Sequence, residues 1–221
     1  MIETGIPVLD REFKGIDYAI ILAEGVPGSG KEVLGYHVLN KALESGVHCV
    51  VITSSRSYED AEKDLEYYRM RSKPITWIET IGKPKEADNV VSANIGELFS
   101  VSDAIKRQVE KSEGKEVVVV MDFISSALMS HPIEKIYAFF SGIVVELKKR
   151  GAVAYVLIEN QMHDPKDVVS MEQLADIVLD FKVLEEGLDV KQGLVIRKKM
   201  GRPTIRRSYE FELTEEGLKV V

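Results

Sequence analysis

The chain has 221 residues, 45% hydrophobic and 29% charged, with a formal net charge of −7 at pH 7. That length suits one α/β domain with a full core, and the acidic balance argues against wholesale nucleic-acid binding. One cysteine, Cys49, excludes an internal disulfide framework, and no apolar run reaches the roughly 18 residues of a membrane span.

Met1 to Gly5 has no basic stretch followed by an apolar one, so it does not read as a signal peptide, and a cytoplasmic location is expected. Glu and Lys are abundant while Asn and Gln are scarce, a thermophile-like balance. Thr4 to Asp10 leads in, with Leu9 and Phe13 as apolar anchors. Ala19 to Ala23 predicts a buried strand. After a Gly-rich turn, Val33, Leu34, Val38 and Leu39 recur at helical spacing, and Ser45-Gly46 stops that helix. Val47 to Thr53 predicts a second buried strand. Ser57, with Asp60 three residues on, starts a helix that reaches about Arg71 before Pro74. Ile75 to Glu79 predicts a third strand, and residues 82–99 a mobile surface loop. A helix is expected from about Val101 to residue 113, capped by Ser100. Val117 to Asp122 is β-branched almost throughout, as in a central parallel strand covered on both faces. Pro132 opens a helix whose core stripe is Ile133, Ile136, Tyr137, Phe140, Ile143, Val144 and Leu147, and Gly151 ends it. A strand over 152–158, a short helix over Ser170 to Ala175, a strand over Ile177 to Val183 and antiparallel strands at 193–197 and 208–213 close the chain. Buried strands alternating with helices imply a mostly parallel sheet with helices on both faces in a single domain, 1–221.

The informative stretch is Gly25, Val26, Pro27, Gly28, Ser29, Gly30 and Lys31. A G-x-x-x-x-G-K run between a strand and a helix is a phosphate-binding loop: small residues let backbone N–H groups turn inward, the helix N-terminus adds positive charge, and the lysine reaches the terminal phosphates. By chance the spacing arises at roughly one position in 3000. The next residue is Glu32, where such loops carry a Ser or Thr that ligates Mg²⁺. A carboxylate about 6 Å from a phosphate charge repels it by roughly 2–3 kcal/mol at an effective dielectric near 20. In a doubly wound sheet the ligand lies at the carboxyl ends of the strands, which predicts one crevice formed by Gly25 to Lys31, Ser54 to Arg56, Asp122 and Glu159-Asn160. Arg197, Lys198, Lys199, Arg202, Arg206 and Arg207 form a basic cluster, read either as a solvated hairpin face or as a contact for phosphate or an acidic partner. The histidines show no ligand spacing, so no His or Cys metal site is expected.

The chain resembles the RecA-superfamily P-loop ATPases, and within them the KaiC-like proteins common in archaea. Thr4 to Asp10 is similar to the family's opening TGIPGLD, and Gly25 to Lys31 to its phosphate loop. Residues 117–128 are similar to its VVIDSLSAL strand, and 171–180 to a later segment. Lys199-Met200-Gly201-Arg202 is similar to its KMRG, and 209–220 to its closing strands. The resemblance implies a three-layer RecA-like fold with a C-terminal antiparallel hairpin, ATP and Mg²⁺ as cofactors, and Asp122 as a metal-orienting acid; Glu32, a departure from the family's Ser or Thr, either joins Asp122 on the metal or points away. It also implies that Lys199 and Arg202 reach a neighbouring subunit's nucleotide in a homo-oligomer. The glutamates that activate water in the family fall by position at Ser55-Arg56, which cannot act as carboxylate bases. Three readings follow: a nucleotide-binding protein with weak or absent hydrolysis and a regulatory or assembly role; an active ATPase with relocated groups, Glu32 on metal and Glu59 or Asp60 as base; or an interaction module without nucleotide, including a DNA-recombinase paralogue.

Overall fold

A computed structural model describes residues 3–14, 16–70, 74–82, 87–112, 114, 116–186, 189–201 and 207–221. The β-branched and aliphatic runs form the strands that their composition predicts: β1 Ile20–Gly25, β2 His48–Thr53, β3 Thr76–Glu79, β4 Val90–Ser92, β5 Val117–Asp122, β6 Val153–Glu159, β7 Ile177–Glu186, β8 Asp189–Lys199, β9 Arg207–Thr214 and β10 Gly217–Val220. They make one sheet in the order β10-β9-β8-β7-β1-β6-β5-β2-β3-β4. From β7 through β4 every pairing is parallel, and β8, β9 and β10 extend the sheet antiparallel.

Alternation along the strands divides the core in two. Ile21 and Ala23 of β1 face helices α1 Pro7–Phe13, α2 Lys31–Glu44 and α3 Tyr58–Tyr67. Ile20 and Leu22 face α4 Leu98–Glu110, α5 Ile124–Ser130, α6 Ile133–Lys149 and α7 Pro165–Leu174. Period-2 alternation with both faces apolar is what a helix-covered parallel sheet requires. The α6 stripe lies as its spacing demands, with Ile136, Phe140, Ile143, Val144 and Leu147 buried. Cys49 is buried, and burial pushes its thiol up to about 12, so it packs as a small hydrophobe.

Several local expectations are corrected. The lead-in forms α1, started by Pro7 at its first turn without a side-chain cap. The stretch read as a loop contains β4, whose Val90 pairs with the fully buried Trp77 of β3. Helix α4 begins at Leu98, and Ser100 accepts the Asn94 N–H instead of capping the helix. Helix α3 ends at Tyr67, with Arg69 at φ 56, because Met70 N–H turns back to Leu65 O. Helix α5 follows β5 directly, α7 starts five residues early at Pro165, and β10 adds an edge strand. Among the described residues no helix is long and apolar enough to cross a membrane.

Candidate functional site

The loop after β1 takes its shape from its glycines. A Cβ at Gly25 would lie 2.5 Å from Ser29 Oγ and 2.9 Å from Phe181 Cβ, so only glycine fits. Gly28 and Gly30 have φ of 74° and 93°, a region that side chains strain to enter. Gly30 then caps α2, and Leu34 N–H donates to its carbonyl. Strand pairing brings the rest of the crevice together. Gly25 lies beside Glu159 of β6, and Thr53 of β2 beside Asp122 of β5. The carboxyl ends of β1, β6, β5 and β2 therefore meet at the loop, as the crevice prediction requires.

Lys31 is fully buried, and its ammonium is enclosed by the protein itself. It donates to Glu32 Oε1 at 2.6 Å and to Val26 O at 3.1 Å, and pairs with Glu159 Oε1 at 2.8 Å. An ammonium has three N–H donors, and three acceptors surround this one. Burial raises the Glu159 carboxyl above its usual range and Lys31 opposes that rise, while Glu159 Oε2 is buried without a partner. Glu159 N–H donates to Ser125 Oγ at 2.8 Å, fixing the strand end. Tyr155, fully buried beneath α2, donates its hydroxyl to Lys31 O at 2.8 Å.

Asp122 accepts from Ser55 Oγ, and its carbonyl accepts Ser54 N–H at 2.9 Å. Burial pushes its carboxyl up, against the pull of Ser55, Arg56 and Lys31. Arg56 pairs with Asp64 and stacks 5.8 Å from the Tyr36 ring. The two positions where the family resemblance places glutamates, Ser55 and Arg56, thus both bear on Asp122. Within the crevice two cations, Lys31 and Arg56, face four carboxylates: Glu32, Glu159, Asp122 and Asp64.

The antiparallel extension covers the loop, which sequence reasoning missed. Gln192 of β8 donates to Gly28 O at 3.0 Å. The Phe211 ring of β9 lies 2.8 Å from where a Gly30 Cβ would stand, and Leu213 is 3.3 Å from the same point. Ser29 Oγ is buried without a partner. The alternating run Ser208 to Leu213 predicts a strand but not its neighbour, and only the sheet order places Phe211 on the loop.

The described members of the basic cluster are committed elsewhere. Register pairs Lys199 with Ile177, at the far end of β7 from the loop. Seven residues of strand separate it from Gln192, about 23 Å. Lys199 Nζ bonds Glu12 at its carbonyl (3.0 Å) and carboxylate (3.2 Å), and Arg207 and Tyr209 meet the same carboxylate. Burial raises Glu12, but the bonds from Lys199 and Tyr209 outweigh it and hold the carboxyl low. Lys198 caps the C-terminus of α7 through Glu172 O and Gln173 O. Arg197 joins Glu24, Glu172 at 3.1 Å and Asp180 at 3.9 Å. Burial first, and Glu172 next, push Glu24 up to about 7 despite Arg197. Arg202 and Arg206 lie outside the described residues. Glu59 and Asp60 occupy the first turn of α3, where Asp60 N–H donates to Ser57 Oγ as the capping pattern predicts. Among the described residues no group of three or more His, Cys, Asp or Glu is placed to hold a metal ion.

Comparison with known proteins places this geometry. A family profile described as "ATPase: KaiC" matches residues 2–221. A UPF0273 protein from Thermotoga maritima is 21% identical over 236 residues, spanning 99% of this chain and 95% of its own. A second, from Saccharolobus solfataricus, is 27% identical over 160 residues, spanning 67% of this chain and 55% of its own. The crystal structure of a KaiC-like protein from the hyperthermophilic archaeon Pyrococcus horikoshii shares the fold at TM-score 0.74 and 18% identity, across 100% of this chain and 98% of that one. The profile match over nearly the whole chain, with the sheet and loop described above, shows that the chain belongs to the KaiC ATPase family within the RecA superfamily.

Proposed function

We propose that this KaiC-family domain is a regulatory or assembly module that binds nucleotide weakly and does not turn it over. The observation that carries the reading is the capture of Lys31 by Glu32 and Glu159 inside its own phosphate loop. At about 2.8 Å and an effective dielectric near 20, each pairing is worth roughly 6 kcal/mol before solvation is counted. A triphosphate reaching Lys31 must displace both carboxylates and leave them half-buried beside its own charge. Magnesium meets the same obstacle: the hydroxyl ligand that follows the lysine in such loops is here Glu32, which is held on Lys31. The residues as arranged therefore do not fit ATP with its magnesium. Ser55 and Arg56 supply no general base, a loss of about 10²–10⁴ in rate.

Titration calorimetry of ATP, with and without Mg²⁺, tests this on the native chain, Lys31→Ala and the double variant Glu32→Thr/Glu159→Gln. The native chain is expected to bind no more tightly than about millimolar, and the double variant to gain Mg²⁺-dependent affinity through a freed Lys31. Micromolar native binding with steady release of phosphate would overturn the reading.

A further inference from the structure

Helices α4 and α6 lie side by side on one face of the sheet, and a groove of about 480 Å³ runs between them. Its floor is Ile105 and Val109 of α4 with Ile143 and Leu147 of α6. From Phe99 to Val109 it follows α4 for about 15 Å, at about 1.5 Å per residue. The α6 rim is small: Ala138 is exposed, and a Cβ at Gly142 would meet nothing within 4 Å. On the α4 rim stands Phe99, 81% exposed and the most exposed large apolar side chain among the described residues.

The outward stripe of α4 is Phe99, Asp103, Lys106 and Glu110, whose spacing by fours and threes puts them on one face. This stripe is complementary to itself. Turned end for end about a point between Ala104 and Ile105, the helix lays Asp103 on Lys106 and Lys106 on Asp103. The same reversal carries Phe99 to the level of Glu110, over the end of the floor formed by Val109 and Leu147. Lys106 is exposed and has no ion pair among the described residues. Asp103 holds Arg107 at 2.8 Å on the open surface, where such a pair contributes little and is readily exchanged.

We infer that this groove is the contact between two copies of this chain, their α4 helices packed antiparallel across a two-fold axis. Each copy sets its Phe99 ring on the far end of its partner's groove, and two Asp103–Lys106 pairs flank the axis. Ala138 and Gly142 leave room for the second helix to approach. The placement of acid and base about the axis selects a second α4 over an unrelated apolar helix. Such a contact uses the same patch on both chains and closes at two. It lies across the sheet from α1, where Lys199 is held, and does not depend on whether the phosphate loop binds nucleotide.

Sedimentation of the full chain from micromolar to millimolar concentration tests this. A reversible dimer is expected, with a dissociation constant of tens of micromolar. Phe99→Asp, at an exposed position, should leave the thermal melt unchanged and the chain monomeric. Lys106→Glu brings like charges together on both sides of the axis and should weaken the dimer at least tenfold. The exchange Asp103→Lys/Lys106→Glu restores opposite charges only if the two helices face each other in this register, and should return the dimer to within about threefold of the native chain. A native chain that stays monomeric at millimolar concentration, a dimer that persists in Phe99→Asp, or an exchange that fails to restore it would overturn the inference. A monomeric chain whose groove instead takes a leucine-rich amphipathic peptide would assign the groove to another partner and likewise overturn it.

Discussion

Lys31 and Lys199 both look like phosphate ligands in the sequence, and in the structure each is held by glutamate. They sit at opposite ends of the sheet, and their surroundings differ. Lys31 has no exposure, and two carboxylates and a carbonyl close on it from β6, α2 and the loop. Lys199 keeps about a tenth of its surface, and shares a single glutamate with an arginine and a tyrosine. A glycine-rich motif therefore locates a cation without saying whether that cation is available. Availability depends on which strand ends the sheet order brings beside it, and on how dry the meeting point is.

The comparison can be broken most directly at Lys31. Removing it leaves two half-buried carboxylates facing each other, so Lys31→Met is expected to cost about 3–5 kcal/mol in denaturant melts. Adding Glu32→Gln and Glu159→Gln should recover most of that. A loss below about 1 kcal/mol would mean that the ammonium is not the keystone of the loop.

At the hairpin the analogous pair joins the buried Glu24 to Arg197, which is exposed. Glu24 titrates near 7 when folded, against an ordinary value of 4.5. Between those values the folded chain holds more protons than the unfolded one, so stability falls as pH rises from about 4.5 to 7. The effect should reach up to about 3 kcal/mol, at 1.36 kcal/mol per pKa unit. Thermal melts across that range should lose this component in Glu24→Gln. An unchanged profile would place the group's titration elsewhere.

Gly30→Ala sharpens the contrast within the loop, since a methyl there meets both a positive φ and the Phe211 ring. About 2–3 kcal/mol is expected, against about 1 kcal/mol for Gly28→Ala, which has open space around it. Equal losses would mean that Phe211 does not press on the loop. The smallest effect belongs to Lys199→Ala, about 1 kcal/mol, because Arg207 and Tyr209 still satisfy Glu12. If it matched Lys31→Met, the distinction between the two ends would fail.

The parallel sheet, its central strand and the phosphate loop were legible because β-branched runs and glycine spacing are local signals. The crevice was legible too, because a doubly wound sheet gathers its strand ends. Short elements were not. Helix α1 has no side-chain cap and few residues in which to show a period. Strand β4 has three residues, too few for alternation to register. The glutamate partners of Lys31 were visible only in part. Glu32 stands out as a departure from the loop pattern, but Glu159 is 128 positions beyond Lys31 and acquires its role only when β6 is known to lie beside β1. The same holds for Phe211, brought over the loop by three antiparallel strands that the chain adds last.

Force would find the weak side of this molecule at β10. Ile6 and Val220 stand on opposite walls of one cleft, so positions near the two extremes of the sequence are neighbours in space. Handles fixed at Glu3 and Val221 would pull across β10 and away from β9, breaking their hydrogen bonds one after another, as a zipper opens. The parallel strands at the centre, bonded on both sides, would carry little of that load. Phe211 and Leu213 sit on the next strand in, so the lining of the phosphate loop would loosen well before the body of the sheet gave way.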